Sequence, residues 1–151
     1  MAPFFRRRLR SAVNCKYLSY TLPDGGKIHL PMVHIRLSIS SESLTTIGLV
    51  DSGSNVTFVP LELADILSLP IEREDSAVGA GGTFNNTIRK VNIRLLKGNT
   101  SFASFPNFPV YVPMDQGRVP YVVLGRDSIF SKFDITFREN KQRFVLRGSK
   151  A

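Results

Sequence analysis

The alternation of apolar and polar residues over residues 32–40 constrains the fold more than any other feature of the sequence. In the stretch MVHIRLSIS, aliphatic side chains occupy every second position, at Val33, Ile35, Leu37 and Ile39. The residues between them are polar or charged. This period of two predicts a β-strand with one buried face and one exposed face.

Further short apolar runs, separated by Gly, Pro and polar residues, predict additional strands. They are TTIGLV (45–50), VTFVP (56–60), VNIRLL (91–96), FPVYVP (108–113), YVVLG (121–125), and DITFRE (134–139) with QRFVL (142–146) as a hairpin across NK. The first two runs are continuously apolar, which is typical of strands buried on both faces. Two short helices are predicted, over PLELADILSL, opened by Pro60, and over RDSIFSKF, with Asp127 or Ser128 near its start. Many short strands with one or two short helices predict an all-β barrel or sandwich.

Length and composition indicate one globular domain without a metal or a disulfide framework. The chain has 151 residues, of which 42% are hydrophobic and 21% are charged. Cys15 is the single cysteine, which excludes an intrachain disulfide and fits a reducing compartment, while His29 and His34 are too few to suggest metal chemistry. No apolar run has the length of a membrane span, and the start MAPFFRRRLR has arginines where a signal peptide is apolar. We therefore expect a soluble cytoplasmic protein with no cofactor and no membrane association.

The positive charge divides the chain into three expected segments. Residues 1–15 read as a basic, flexible leader, residues 16–148 as the single domain, and residues 149–151 as a tail. The formal net charge is +8, with Arg6, Arg7, Arg8 and Arg10 in the leader. A basic β domain associated with nucleic acid is therefore one alternative. No nucleic-acid motif accompanies the charge, which alone supports only nonspecific attraction.

Three motifs in order carry chemical information. The triplet Asp51-Ser52-Gly53 follows the apolar run 47–50, although by itself it is also an ordinary turn sequence. The stretch VGAGGTF contains the Gly-rich segment 79–82, and VVLGRD covers residues 122–127. Together these stretches resemble the retropepsins, the aspartic proteases of the retroviral type, over roughly residues 28–146. VGAGGTF lacks the Gly-x-Gly-x-x-Gly spacing of a dinucleotide loop and is not followed by Gly-Lys-[Ser/Thr].

The resemblance implies a closed β-barrel, a homodimer and an aspartic endopeptidase. In this chemistry two neighbouring carboxyl groups share one proton, so that one activates a water while the other polarises the scissile carbonyl. The chain has only one Asp-[Ser/Thr]-Gly triplet, so the second carboxyl group is expected from Asp51 of a second copy across a two-fold axis. The partners implied are a second copy of the chain and a protein or peptide substrate. A catalytically inactive dimerisation or peptide-binding module of the same fold is the other alternative.

The resemblance also assigns roles to individual residues. The catalytic group would be Asp51, Ser52 and Gly53, with Ser52 bracing the two loops. Substrate would be bound by Ser54, Asn55, Val56, Tyr121, Val123 and the flap residues Gly79, Ala80, Gly81 and Gly82. Structural support would come from Thr57, Gly125, Arg126 and Asp127.

Two of these positions depart from the family pattern. Asn55 stands where retroviral members have an Asp that pairs with the arginine, so Arg126 is expected to make a weaker bond to Asn55 or to bind Asp127 instead. Ala80 replaces a larger apolar residue at the flap tip, which implies a weaker grip on substrate.

Overall fold

The computed structural model describes residues 12–79, 82–115 and 117–148, most of which lie in β-strands. The strands are β1 (Val13–Lys16), β2 (Leu18–Thr21), β3 (Lys27–Leu30), β4 (Met32–Ile39), β5 (Glu42–Val50), β6 (Ile71–Gly79), β7 (Gly82–Lys97), β8 (Thr100–Pro113), β9 (Val122–Leu124), β10 (Phe133–Arg138) and β11 (Arg143–Gly148). The helices are α1 (Leu61–Ile66), α2 (Ile129–Lys132) and a 3₁₀ helix (Glu139–Lys141). None of these helices is long and apolar enough to cross a membrane.

The strands form three sheets. The largest has the order β6-β7-β4-β5-β9, with β8 paired to the other edge of β7. All its neighbours are antiparallel except β5 and β9, which run parallel with Leu49 opposite Val123. The smaller sheets have the orders β1-β11-β10 and β2-β3. These three sheets of the described residues do not join into the single closed barrel that the resemblance implied.

The core lies against the inner face of β4, where the alternating pattern places its aliphatic residues. Ile35 lies opposite Leu95 of β7, and Leu37 lies opposite Ile93. All four side chains are fully buried. Burial of such a side chain stabilises the folded state by about 1.5–3 kcal/mol, so this strand pair anchors the sheet that carries the candidate site.

Most of the predicted elements are confirmed. The strand over residues 32–40, the strands at 91–96, 108–113 and 121–125, and the hairpin of β10 and β11 are all present. Helix α1 begins directly after Pro60, whose φ of −56° suits the start of a helix, and α2 begins after Ser128. The sequence therefore placed the regular elements well where their hydrophobic pattern was clear.

Two local predictions are wrong. Residues 56–60 do not form a strand, since only Phe58 makes isolated bridges, to Tyr111 and to Val123. The strand leading to Asp51 is not buried on both faces, because Ile47 and Leu49 are half-buried.

The predicted segment boundaries fall partly outside the described residues. Residues 1–11 of the leader, flap residues Ala80 and Gly81, and the tail 149–151 are not described. Strand β1 includes residues 13–15, which the sequence analysis gave to the leader, and it pairs with β11 from Val13↔Leu146 to Lys16↔Arg143.

Candidate active site

Asp51 lies at the end of β5, where the parallel pairing with β9 fixes the backbone. Its N–H donates to the Leu124 carbonyl at 3.1 Å, directly after the last residue pair of the two strands. The Gly53 N–H donates to Asp51 Oδ1 at 2.8 Å, and the Ser54 N–H donates to the Asp51 carbonyl at 3.3 Å. Asp51 is therefore a turn residue by its hydrogen bonds, yet its carboxylate is half-buried at the surface with its second oxygen free of protein bonds within the described residues.

The loop after Asp51 is interlocked with the loop after β9. The Arg126 N–H donates to the Ser54 carbonyl at 2.8 Å, and Ser54 Oγ donates to the Val56 carbonyl at 2.7 Å. A Cβ atom on Gly125 would lie 2.2 Å from the Val56 carbonyl oxygen and 2.8 Å from that of Ser54. The two backbones approach so closely that position 125 admits only glycine.

The Thr57 hydroxyl joins these two loops through the interior. It donates to Asp127 Oδ1 at 2.7 Å, so the Ser128 hydroxyl 2.7 Å away must donate to it, and the Gly125 N–H points to it at 3.4 Å. Thr57 and Ser128 are fully buried. Burial raises the pKa of Asp127 above its usual range, and the hydrogen bond from Thr57 opposes this increase.

Arg126 is bound by Asn55 and not by Asp127. Its Nη2 donates to Asn55 Oδ1, while Asp127 Oδ1 accepts a hydrogen bond from Thr57. Of the partners expected for Arg126, the structure therefore has Asn55. The hydrogen bond joins the charged guanidinium to a neutral amide. Both Arg126 and Asn55 are exposed.

Tyr121 and Val123 lie beside Asp51 at the start of β9, as half-buried residues. Val123 exchanges two backbone hydrogen bonds of 2.9 Å with Phe58. The Tyr121 ring packs edge-on against Tyr20 at 5.2 Å between centroids. Burial raises the pKa of Tyr121, with smaller contributions from Tyr20 and from the charge of Asp51, so the phenol lies within electrostatic reach of that carboxylate.

The Gly-rich segment lies at the tip of the long hairpin of β6 and β7. Gly79 and Gly82 form the last residue pair before the turn, and Ala80 and Gly81 between them lie outside the described residues. Lower on the hairpin, the Phe84 ring packs at 6.0 Å against Phe58, and the Arg118 guanidinium lies 4.8 Å from its centroid. The hairpin thus reaches the loop that follows Asp51 through Phe84, which lies two residue pairs from the tip.

Three residues of this region were not predicted from the sequence. Phe58 is half-buried between Phe84 and Tyr111, Tyr20 covers Tyr121, and Ser128 completes the hydrogen bonds of Thr57. No sequence pattern indicated a role for Tyr20, because it lies about a hundred positions from Tyr121 along the chain. No group of three or more His, Cys, Asp or Glu side chains in the described residues is placed to hold a metal ion.

Comparisons with known proteins establish the type of fold. No family model matches the chain, and no curated protein matches it in sequence. The crystal structure of a retropepsin-like aspartic protease from Rickettsia conorii is similar with a TM-score of 0.52, over 92% of this chain and 94% of that chain, at 13% identity. This similarity in three dimensions shows that the chain has a retropepsin-like fold.

Two further solved structures are similar at lower TM-scores. One is the EIAV protease complexed with the inhibitor HBY-793, with a TM-score of 0.48 and 17% identity over 68% of this chain and 86% of that chain. The other is the retroviral protease-like domain of Ddi1 from Leishmania major, with a TM-score of 0.43 and 16% identity over 74% of this chain and 84% of that chain.

Proposed function

We propose that the protein is an aspartic endopeptidase whose active site forms between two copies of the chain. The observation that carries the proposal is the Asp51 carboxylate, held by the Gly53 N–H at the end of β5 with its other oxygen free. The interlocked loops at residues 51–57 and 125–128 hold this carboxylate in a fixed position at the surface. Such a fixed position is what a reaction between two opposed carboxyl groups requires.

The proposed chemistry uses one proton shared by two Asp51 side chains. Two carboxylates a few ångströms apart cannot both be ionised, so one stays protonated. The ionised group accepts a proton from a water, whose oxygen attacks the peptide carbonyl, while the protonated group donates to the carbonyl oxygen. The carboxyl group that took the proton of the water then donates it to the nitrogen of the scissile bond. The C–N bond breaks, the amine leaves, and a hydroxyl of the intermediate returns a proton to the other carboxylate. No metal or cofactor takes part.

Substrate would lie across the loops that flank Asp51. The backbone of residues 54–56 and the side chains of Tyr121 and Val123 would border the bound peptide on one side. The hairpin of β6 and β7 would cover the peptide from the other side, with segment 79–82 at its tip. Because Val56, Phe58 and Val123 are half-buried and apolar or aromatic, we expect a preference for apolar side chains next to the cleaved bond.

Replacement of Asp51 by Asn tests the proposal. The change keeps size and hydrogen bonding to the Gly53 N–H but removes the ionisable group, so cleavage of a mixed peptide library, read by mass spectrometry, should be abolished. An Asp115→Asn variant is the matched control, since this carboxylate is exposed and lies outside the site. Equal cleavage by the Asp51 variant and the wild type would disprove the mechanism.

The oligomeric state is a second, independent test. Light scattering coupled to gel filtration should give twice the mass of one chain for both the wild type and the Asp51 variant. An inactive peptide-binding module would instead be a dimer that cleaves no peptide. It would bind a hydroxyl-containing transition-state analogue no better than the corresponding substrate peptide. A strict monomer at all concentrations would exclude the proposed site.

A further inference from the structure

A separate pocket of about 310 Å³ lies at the junction of β1, β4, β7 and β11. It contains none of the residues assigned to the candidate active site. Its floor is apolar and formed by Met32, Val33 and Leu96, which are 1%, 3% and 5% exposed. Its size is at the lower end for small-molecule sites, so it fits a compact ligand and not a protein segment.

The rim of this pocket is strongly basic. Lys16, Lys97 and Arg143 line it together with His34, and none of the described residues lining it is Asp or Glu. The Lys97 ammonium donates to the Asn14 carbonyl, which ties the end of β7 to β1 and holds this cation at the rim. The charges therefore converge on the pocket from three strands.

No carboxylate of the chain neutralises these cations. The ion pairs among the described residues join Arg73 to Asp75, Arg89 to Asp65 and Lys90 to Glu72, all away from the pocket. The residues outside the described ranges contain no Asp or Glu at all. The three rim cations are therefore available to an anion from outside the chain.

We propose that the pocket binds a small amphipathic anion, in which an aliphatic body packs on Met32, Val33 and Leu96 and a carboxylate binds Lys97 and Arg143. An apolar floor alone would accept any hydrophobic molecule. Three unneutralised cations at its rim make an anionic head group the complementary one. A medium-chain carboxylate combines both features at a size suited to the pocket.

Cys15 gives this pocket its own reporter. It lines the pocket, is half-buried and is the only cysteine of the chain, so its rate of alkylation reports on this site alone. Burial raises the pKa of the Cys15 thiol, and the charge of Lys97 lowers it. A bound ligand would cover the thiol, and its carboxylate would also disfavour the thiolate, so both effects slow alkylation.

The test measures alkylation of Cys15 by the neutral reagent iodoacetamide, with decanoate, decanol or decyltrimethylammonium added below micellar concentrations. Decanoate should slow the reaction saturably and at least several-fold, and the other two should act only at much higher concentration. Lys97→Gln should weaken the decanoate effect by about tenfold, as expected for the loss of one charge-assisted contact. Lys27→Gln on β3, which makes the same change of charge away from the pocket, should not weaken it.

The contrary outcomes are equally clear. Equal protection by all three compounds, which share a ten-carbon alkyl chain, would show a merely apolar cavity. No protection by decanoate would overturn the proposed site. Slower alkylation with rising protein concentration and no ligand would assign the pocket to contacts between copies. The Asp51→Asn variant should bind decanoate like the wild type, so the result does not depend on the proposed proteolysis.

Discussion

Replacement of Thr57 by Val tests whether one hydroxyl joins the two loops of the candidate site. Val has nearly the same shape as Thr, so the change removes the hydroxyl without leaving a cavity. It leaves Asp127 without its 2.7 Å hydrogen bond from this side chain, and it leaves the buried Ser128 hydroxyl only its 3.3 Å contact with the Gly125 carbonyl. A hydrogen bond to a charged group contributes about 1.5–3 kcal/mol, and an unpaired buried donor adds to its loss.

We therefore expect the free energy of unfolding to fall by about 2–4 kcal/mol at pH 7. For a chain of this size this corresponds to a melting temperature lower by roughly 5–15 °C. Urea unfolding followed by circular dichroism measures the change, at a fixed chain concentration because a dimer is stabilised by mass action. Thr45→Val, on the exposed side of β5, is the matched control and should change stability by less than about 0.5 kcal/mol.

The cost of Thr57→Val should depend on pH in a defined direction. Burial already raises the pKa of Asp127 in the folded state, so the folded protein loses stability as the pH rises through that value. Removal of the Thr57 bond raises the pKa of Asp127 further, so the variant should lose more stability at pH 7 than at pH 4. A loss below about 0.5 kcal/mol at pH 7, or the same loss at both pH values, would refute the role of this hydroxyl.

Three other variants test single contacts of the structure. Gly125→Ala should destabilise the protein by about 1–3 kcal/mol or more in urea unfolding, because its Cβ would meet the Val56 carbonyl oxygen at 2.2 Å; unchanged stability would contradict this packing. Asn55→Asp should raise stability by up to about 1 kcal/mol at low salt, since its bond to Arg126 becomes an exposed ion pair, and the gain should vanish in high salt. The pKa of Tyr17 is raised to about 12 by burial and a bond to a neighbouring glutamate, so stability should fall as the pH rises from about 10 toward 12; absorbance at 295 nm should show a tyrosine that ionises near pH 12 and that Tyr17→Phe removes.

Strand β4 could be predicted from sequence because its pattern is local and one-sided. Strand β8 (Thr100–Pro113) was predicted only in its second half, although it is one of the longest strands. It pairs with β7 alone along its ladder, so its other edge is open for most of its length and tolerates Pro106 and Pro109. Prolines in a sequence argue against a strand, unless it is already known that the strand lies at the edge of a sheet.

The error over residues 56–60 has a different physical cause. Of the apolar side chains there, Val59 is fully buried, whereas Val56 and Phe58 are half-buried. However, the backbone hydrogen bonds of this segment join two different strands. Phe58 is bonded to Val123 of β9, and Thr57 and Val59 are bonded to Tyr111 of β8. The segment thus bridges two strands for one or two residues each, and no regular ladder forms.

The candidate site itself was more accessible to sequence reasoning than its support. Asp51 and Gly125 both stand in short sequence motifs. Asp51 directly follows a strand, and position 125 requires a residue without a side chain. The sequence left the partner of Arg126 open between Asn55 and another residue such as Asp127, because a choice among side chains some seventy positions apart is not visible in a local pattern.

The same hydrogen bonds give the strongest argument that one chain holds only half of a site. Asp127 lies in the second of the two interlocked loops, and its carboxylate accepts the Thr57 hydrogen bond at 2.7 Å. A turn of this carboxylate toward a substrate would break its hydrogen bond with the fully buried Thr57. Under the proposed mechanism we therefore expect the carboxyl group that shares a proton with Asp51 to come from Asp51 of a second copy and not from Asp127.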